Sequence, residues 1–371
     1  MSFNDVCFKT NPNFRFQEIV TDKSDALSNA CIFDVYKDRD KNIILIVPFF
    51  NSVNIMKQDY HISLIDLKDN KEIRKLEGHQ DRILTCRYFK DPSSENDYII
   101  SADRKSNVIV WDISNDFMKK LDINLEYDAF IYSCLLIFDE EQNRMFAVAS
   151  SISSNNITKV IDCQTKAIEE IQESKDTNVY YLDCWKNTKP ADNTDTYIII
   201  QCGKGKIIMS TFPGKQSYHV VETGENNPYV SGGLVFKNKG KELFAASATY
   251  GMVQIINLET KKTEFSIKLD DVHLYSFAKW NDYYLLLGDC LQKRIIVFDL
   301  EDGYQIKSKV LCPEMHFEKF IKKVEHPKYG ESILSVGIDF KIKLFINRNI
   351  IQMEILRKKV NGLMINLLKF K

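Results

Sequence analysis

The residues that could do chemistry are few and scattered. Six histidines, His61, His79, His219, His273, His316 and His326, stand far apart. None has a cysteine or a second histidine at metal-ligand spacing, and HExxH is absent. Nine cysteines include no CxxC pair, and several lie inside apolar runs: Cys31, Cys86, Cys134 and Cys184. That usage fits small buried hydrophobes in a reducing compartment. A GxSxG nucleophile elbow and a GxxxxGK[ST] phosphate loop are both missing. Gly203-Lys204-Gly205-Lys206 is too short for a phosphate loop and opens no helix. It reads as a tight turn between the apolar runs YIIIQC and KIIMSTF. No catalytic residue, metal site or cofactor is expected.

Composition points to a large apolar core with no general affinity for polyanions. The chain has 371 residues, 44% of them apolar, with 50 basic against 51 acidic side chains and a net charge of −1. Such a balance gives no broad attraction to nucleic acid or anionic lipid. The opening MSFNDVCFKTNPNF has no apolar run and does not resemble a signal peptide. No segment approaches the ~18–20 continuous apolar residues of a membrane span.

The elements that must position any site show themselves as repeats. An apolar run ending in an aromatic residue and a polar pair recurs at Tyr36-Lys37-Asp38, Phe89-Lys90-Asp91, Phe138-Asp139-Glu140, Trp185-Lys186-Asn187, Phe236-Lys237-Asn238 and Trp280-Asn281-Asp282. A weaker seventh copy is Glu325-His326-Pro327, and the spacings run from 44 to 53 residues. A second pattern, apolar, Asp or Asn, then apolar, interleaves with the first. Its copies are Ile65-Asp66-Leu67, Trp111-Asp112-Ile113, Ile161-Asp162-Cys163, Ile256-Asn257-Leu258 and Phe298-Asp299-Leu300. Two interlocked patterns of one period mark a repeat array, with each unit made of about four short β-branched and aromatic strands. No long helical period is present.

The clearest unit, Leu76 to Ile113, carries Gly78-His79 and, about thirty residues later, Trp111-Asp112. This resembles a WD-repeat unit, one four-stranded blade of a β-propeller. The resemblance extends, through periodicity, over residues 13–356. It implies an all-β fold, a seven-bladed β-propeller of four-stranded antiparallel blades; six or eight blades stay open because the seventh is weakly marked. Residues 1–12 form an N-terminal segment and 357–371 a basic and apolar tail. A ring of blades needs closure, since an open last blade leaves a sheet edge unpaired. The strand NFRFQEIV, residues 13–20, is preferred for this over IIQMEIL, residues 350–356.

In well-kept WD blades a His, a Ser or Thr, an Asp and the Trp form a buried hydrogen-bond chain. Counting back from Trp111 puts Asp103 in the Ser/Thr position and Lys105 in the Asp position. The chain is therefore expected to be altered, to a shorter His79–Asp103 contact. His316 and Asp339 sit at compatible spacings in the seventh unit, with Phe345 in the Trp position. His79, Asp103, Trp111, Asp112, His316 and Asp339 are thus expected to be structural.

The resemblance implies a non-catalytic scaffold, a subunit or adaptor of a larger intracellular assembly, most simply in the cytoplasm, with the nucleus also open. Its partners would be other proteins, with no nucleic acid expected. The loops that join blades are the expected binding face, and Gln80, Asp81, Arg82, Arg104, Lys105, Tyr250, Gln292, Lys293 and Phe340 map onto it. A phosphoinositide- or membrane-binding propeller is the alternative. However, Leu291-Gln292-Lys293-Arg294 lacks the paired arginines of that group, so membrane contact would fall to the tail, with its Arg357, Lys358, Lys359, Lys369 and Lys371. A propeller enzyme is a further alternative that converging channel carboxylates would favour. Ser114 stands where propeller adaptors of cullin ubiquitin ligases often carry Arg.

Overall fold

A computed structural model describes residues 16–20, 33–51, 59–127, 130–152, 157–171, 178–187, 197–223, 229–270, 274–289, 291–311, 320–336 and 342–347. Phe340, His316, Asp339, Cys31, His273, the candidate closing strand 350–356, the segment 1–12 and the tail 357–371 lie outside these residues.

The first strand, β1 (Phe16–Val20), belongs to the last blade. Blade 1 contains β2 (Asp34–Lys37), β3 (Ile43–Asn51), β4 (Asp59–Asp66) and β5 (Lys71–Glu77). Blade 2 contains β6 (Ile83–Lys90), β7 (Asp97–Asp103), β8 (Asn107–Asp112) and β9 (Met118–Asn124). Blade 3 runs β10 (Ile131–Asp139), β11 (Arg144–Ser151), β12 (Thr158–Asp162), β13 (Ile168–Ile171). Blade 4 runs β14 (Val179–Lys186), β15 (Tyr197–Gly203), β16 (Lys206–Phe212), β17 (Ser217–Glu222). Blade 5 runs β18 (Val230–Asn238), β19 (Lys241–Ala248), β20 (Met252–Asn257), β21 (Lys262–Lys268). Blade 6 runs β22 (Leu274–Lys279), β23 (Tyr284–Asp289), β24 (Arg294–Asp299), β25 (Gln305–Leu311). Blade 7 takes β26 (Phe320–His326), β27 (Gly330–Val336) and β28 (Ile342–Asn347) from the end of the described chain and β1 from its start. Every neighbouring pair is antiparallel. The protein is a seven-bladed β-propeller, and the N-terminal strand closes it: Phe16 faces Asn347 and Val20 faces Lys343 across the last ladder.

The apolar runs are continuous because each blade is covered on both faces. In a strand successive side chains point to opposite faces, and here the two sets serve different neighbours. On β3, Ile43, Leu45 and Val47 pack against blade 7, while Ile44 and Ile46 pack against blade 2. On β15, Tyr197 and Ile199 face blade 3, and Ile198, Ile200 and Cys202 face blade 5. The buried residues form seven apolar clusters, one at each junction between adjacent blades. Outer strands such as β5 and β9 alternate exposed and covered residues because solvent takes over one side.

Both repeated sequence patterns are turns on one face of the ring. In the second pattern the Asp or Asn oxygen accepts a backbone N–H two or three residues on. Asp66 takes Lys68, Asp112 takes Asn115, Asp162 takes Gln164 and Thr165, Asn257 takes Glu259 and Thr260, and Asp299 takes Glu301 and Asp302, at 2.8–3.2 Å. These are Asx-turns, which hold the hairpin between third and fourth strands. Asp91, Asp139 and Asn281 do the same between first and second strands.

Gly233 on β18 sits where a ring of its own blade, Phe244, and a ring of blade 4, Tyr181, both close in on the backbone. A Cβ there would lie 2.4 Å from the Phe244 ring and 3.1 Å from the Tyr181 ring, and both rings are buried. Gly233→Val should therefore destabilise the fold by about 1–3 kcal/mol through overpacking, measured by urea denaturation. An unchanged midpoint would mean that this junction yields to accommodate the added side chain.

Candidate functional site

The strand order fixes which loops share a face. Connections from a fourth strand to the next blade, and turns from second to third strands, all lie opposite the Asx-turns. Gln80, Asp81 and Arg82 occupy the β5–β6 connection, Arg104 and Lys105 the β7–β8 turn, Tyr250 the β19–β20 turn, and Gln292 and Lys293 the β23–β24 turn. The eight described candidates therefore share one face. Gln80, Lys105, Tyr250 and Gln292 are exposed, and the others are half-buried. The Gly203-Lys204-Gly205-Lys206 stretch is the expected tight turn on this face, with Gly205 at φ 76°.

Below that face the hydrogen-bond chain of blade 2 is complete, which corrects the expectation of an altered one. Trp111 Nε1 donates to Ser101 Oγ at 3.0 Å, Ser101 Oγ meets His79 Nε2 at 2.7 Å, and His79 Nδ1 meets Asp103 Oδ2 at 3.0 Å. Ser101 holds the Ser/Thr position and Asp103 the Asp position, each two residues earlier than the count from Trp111 places them. The reason is the length of the β7–β8 turn. Across the ladder Trp111 faces Ile99, so Ile99, Ser101 and Asp103 share the face that Trp111 covers. Asp103 ends the strand and caps the turn, accepting the N–H groups of Lys105 at 2.9 Å and Asn107 at 3.0 Å. It also accepts from Gln80 N at 3.3 Å and from Asn107 Nδ2. This one carboxylate thus holds both loops that carry Gln80, Asp81, Arg82, Arg104 and Lys105. Burial works to raise its pKa, but the hydrogen bond and charge of His79 and the bonds from Asn107 outweigh burial, and the carboxyl lies below its ordinary value.

The same face carries a run of rings that the sequence reading missed. Phe130 and Tyr132 are 6.4 Å apart between ring centres, Tyr132 and Tyr180 6.0 Å, and Tyr180 and Tyr229 5.1 Å. Tyr132 and Tyr180 are each the extra residue of a β-bulge at the start of an inner strand, where the register slips between Ile131 and Ser133 and between Val179 and Tyr181. Bulges re-aim side chains in this way. Arg104 lies over Phe130 at 4.3 Å and Lys204 over Tyr229 at 5.8 Å. Burial, then the neighbouring Tyr229 and Tyr132, push the Tyr180 phenol up to about 12. An aromatic residue within two positions of the start of the first strand of blades 3, 4 and 5 (Phe130 and Tyr132, Tyr180, Tyr229) was the available signal.

The central channel opens into a cavity of about 350 Å³ lined by inner strands, including Asp34, Arg87, Tyr181, Asp183, Ser276 and Lys322. Its polar groups tie blades together. Asp34 Oδ2 accepts Tyr88 N of the next blade at 3.0 Å, Ser133 Oγ accepts Leu182 N at 3.0 Å, Asp183 Oδ2 accepts Val235 N at 3.2 Å, and Ser276 Oγ accepts Ile321 N at 3.3 Å. Lys322 is ion-paired with Asp34, and the Arg87 guanidinium lies 4.9 Å over the Tyr181 ring. Burial raises the Asp183 carboxyl despite the nearby Arg87. Among the described residues no group of three His, Cys, Asp or Glu side chains could hold a metal ion. His61 is engaged by Asp59 and Ser63, and His326 Nδ1 accepts Lys328 N.

No protein-family model matches the chain, and no curated protein matches it at a significant level.

Trp111→Ala should cost about 3–5 kcal/mol, because removing a buried indole leaves a cavity and takes away the N–H donor that Ser101 Oγ accepts; calorimetry or urea titration checks this, and a wild-type melting profile would refute the role of the chain. Asp103 gives a pH signature. Its folded pKa is depressed, so its contribution is complete above the ordinary aspartate value of ~4 and is lost as pH falls through the lower folded value. Asp103→Asn should thus be less stable than wild type at pH 7, with the gap narrowing below pH ~4. Denaturation midpoints that stay parallel from neutral to acid pH would contradict that account.

Proposed function

We propose that this chain is a WD-repeat-type propeller acting as a non-catalytic protein-interaction scaffold, a subunit or adaptor of a larger assembly, which binds partner proteins through its loop face. The carrying observation is the gathering of Gln80, Asp81, Arg82, Arg104, Lys105, Tyr250, Gln292 and Lys293 on one face of a closed ring. Loops on a rigid scaffold are where binding residues concentrate, and Arg and aromatic side chains are the usual anchors. Kinship with WD repeats is supported by the Trp111–Ser101–His79–Asp103 chain. Two channel carboxylates, Asp34 and Asp183, already accept backbone N–H groups across blade junctions, which favours a structural over a catalytic use of the channel. Buried thiols at Cys134, Cys163 and Cys202 are in keeping with a reducing, intracellular setting.

The test is affinity capture of the tagged protein from its own cells, read by mass spectrometry. A variant with Arg82, Arg104 and Lys105 changed to Ala is run beside it. A reproducible protein partner that the variant loses is the expected result. A partner retained at full yield would move the site off this part of the face, and the absence of any partner would overturn the scaffold reading.

A further inference from the structure

The run Phe130–Tyr132–Tyr180–Tyr229 has a charge pattern as well as a shape. Its ring centres step across blades 3 to 5 at 6.4, 6.0 and 5.1 Å. Tyr250 continues it in a turn whose Thr249 N–H donates to the Tyr229 carbonyl at 2.9 Å. Tyr229 is 37% and Tyr250 62% exposed, unusual for side chains of this size and enough to leave a surface to be covered. A cation stands at each end, Arg104 over Phe130 and Lys204 over Tyr229, and neither has a carboxylate partner among the described residues. Several basic side chains on the strands are ion-paired, as Arg294 is with Asp289 and Lys119 with Asp122.

The ring geometry selects among anionic partners. Interplanar angles of 67° and 71° put the edge of one ring against the face of the next at the Tyr132–Tyr180 and Tyr180–Tyr229 steps, and Phe130 is tilted at 45° to Tyr132. Bases stack on open ring faces, and here those faces are taken up by neighbouring rings. What remains is a ridge of phenol edges and hydroxyls, which suits a chain lying across it: apolar edges for side chains, hydroxyls for backbone carbonyls and amides, little rotamer entropy to lose. The three steps correspond to about five residues of extended chain at ~3.3 Å each.

We propose that this arc is the docking site for an extended acidic segment of a partner protein, with Asp or Glu at positions about five residues apart meeting Arg104 and Lys204, and apolar residues or proline crossing the tyrosines between them. The proposal rests on the scaffold reading and adds to it the place and the chemistry of the bound segment.

The experiment selects peptides of about ten random residues, displayed on phage, against the intact protein. Enriched peptides are then synthesised with a fluorescent label and titrated by anisotropy. The expected result is a motif with two acidic positions about five apart. Affinity should fall at least about tenfold in Arg104→Glu/Lys204→Glu and in Tyr180→Ala. Selection repeated on the charge-reversed variant should return Lys or Arg at those same positions, a gain that a misfolded protein would not produce. Motifs without acidic residues, or no enrichment at all, would overturn the proposal. So would tight binding of a labelled mixed-sequence single-stranded DNA that competes with the peptides, which would replace a peptide by nucleic acid. Peptides insensitive to these changes but lost in Arg82→Ala/Lys293→Ala would overturn the arc while leaving the scaffold reading intact. If no peptide is enriched and cell capture also yields no partner, both readings fall.

Discussion

Each blade must bury both of its faces, and a closed ring is the arrangement that leaves none uncovered. A four-stranded sheet with apolar side chains on both sides would aggregate alone. Here alternate residues of β3 serve blades 7 and 2, and those of β15 serve blades 3 and 5. Removing any blade would strip apolar cover from two others. The last requirement is an edge: β28 would present unpaired backbone groups without β1, whose five residues pair with it from the far end of the chain. Closure by the N-terminal strand also makes the ring depend on contacts between residues more than three hundred positions apart. Such contacts pay their loop-closure entropy late in folding.

Polar groups then fix what apolar packing alone would leave free to slide. Stacked sheets tolerate small rotations, but a side-chain oxygen on one inner strand accepting an N–H of the next does not. Asp34, Ser133, Asp183 and Ser276 make that contact at four junctions. The chain through His79 works differently. It joins the loop entering blade 2 to the turn and third strand within it, so the loop face of that blade is held from beneath. Other blades meet the need with other residues: His61, Ser63 and Glu72 in blade 1, and Thr158, Gln201 and Ser210 across blades 3 and 4. The buried position is constrained to be satisfied, not to be of one residue type, and this explains how the repeat signature wears away while the fold persists.

The legible and illegible parts of the sequence lie on opposite faces. Strands, period and blade number could be read because the Asx-turns need Asp or Asn at a set place after an apolar strand, and Asp66, Asp112, Asp162, Asn257 and Asp299 all obey. The closing strand was legible from the alternation around Phe16 and Glu18. The loop face has no such rule. Gln80, Arg104 and Tyr250 could be placed on it by counting strands, but nothing in the sequence shows that Phe130, Tyr132, Tyr180 and Tyr229 adjoin, since they come from three blades. The error over Ser101 and Asp103 has the same root. A turn of one more pair of residues moves two buried polar positions, and turn length is set by where Asp103 can reach both His79 and the Asn107 amide, which only the folded blade specifies.

The inner strands suggest why this face changes chemistry without changing the ring. A register slip recurs at the loop-face end of β6, β10, β14, β18 and β22, between Ile83 and Thr85, Ile131 and Ser133, Val179 and Tyr181, Val230 and Gly232, and Leu274 and Ser276. The residue before each slip is apolar and, where its burial is described, fully buried: Ile83, Ile131, Val179 and Val230. That residue anchors the strand. The extra residue that follows lies outside the ladder's alternation and is Leu84, Tyr132, Tyr180 or Ser231 in successive blades. A bulge thus separates two demands on an inner strand: the anchor keeps the junction packed, and its neighbour is freed from the ladder's alternation, staying buried as Leu84 in blade 2. Blades 3 and 4 use that freedom for tyrosine, and the phenols meet because consecutive bulges stand side by side around the channel mouth.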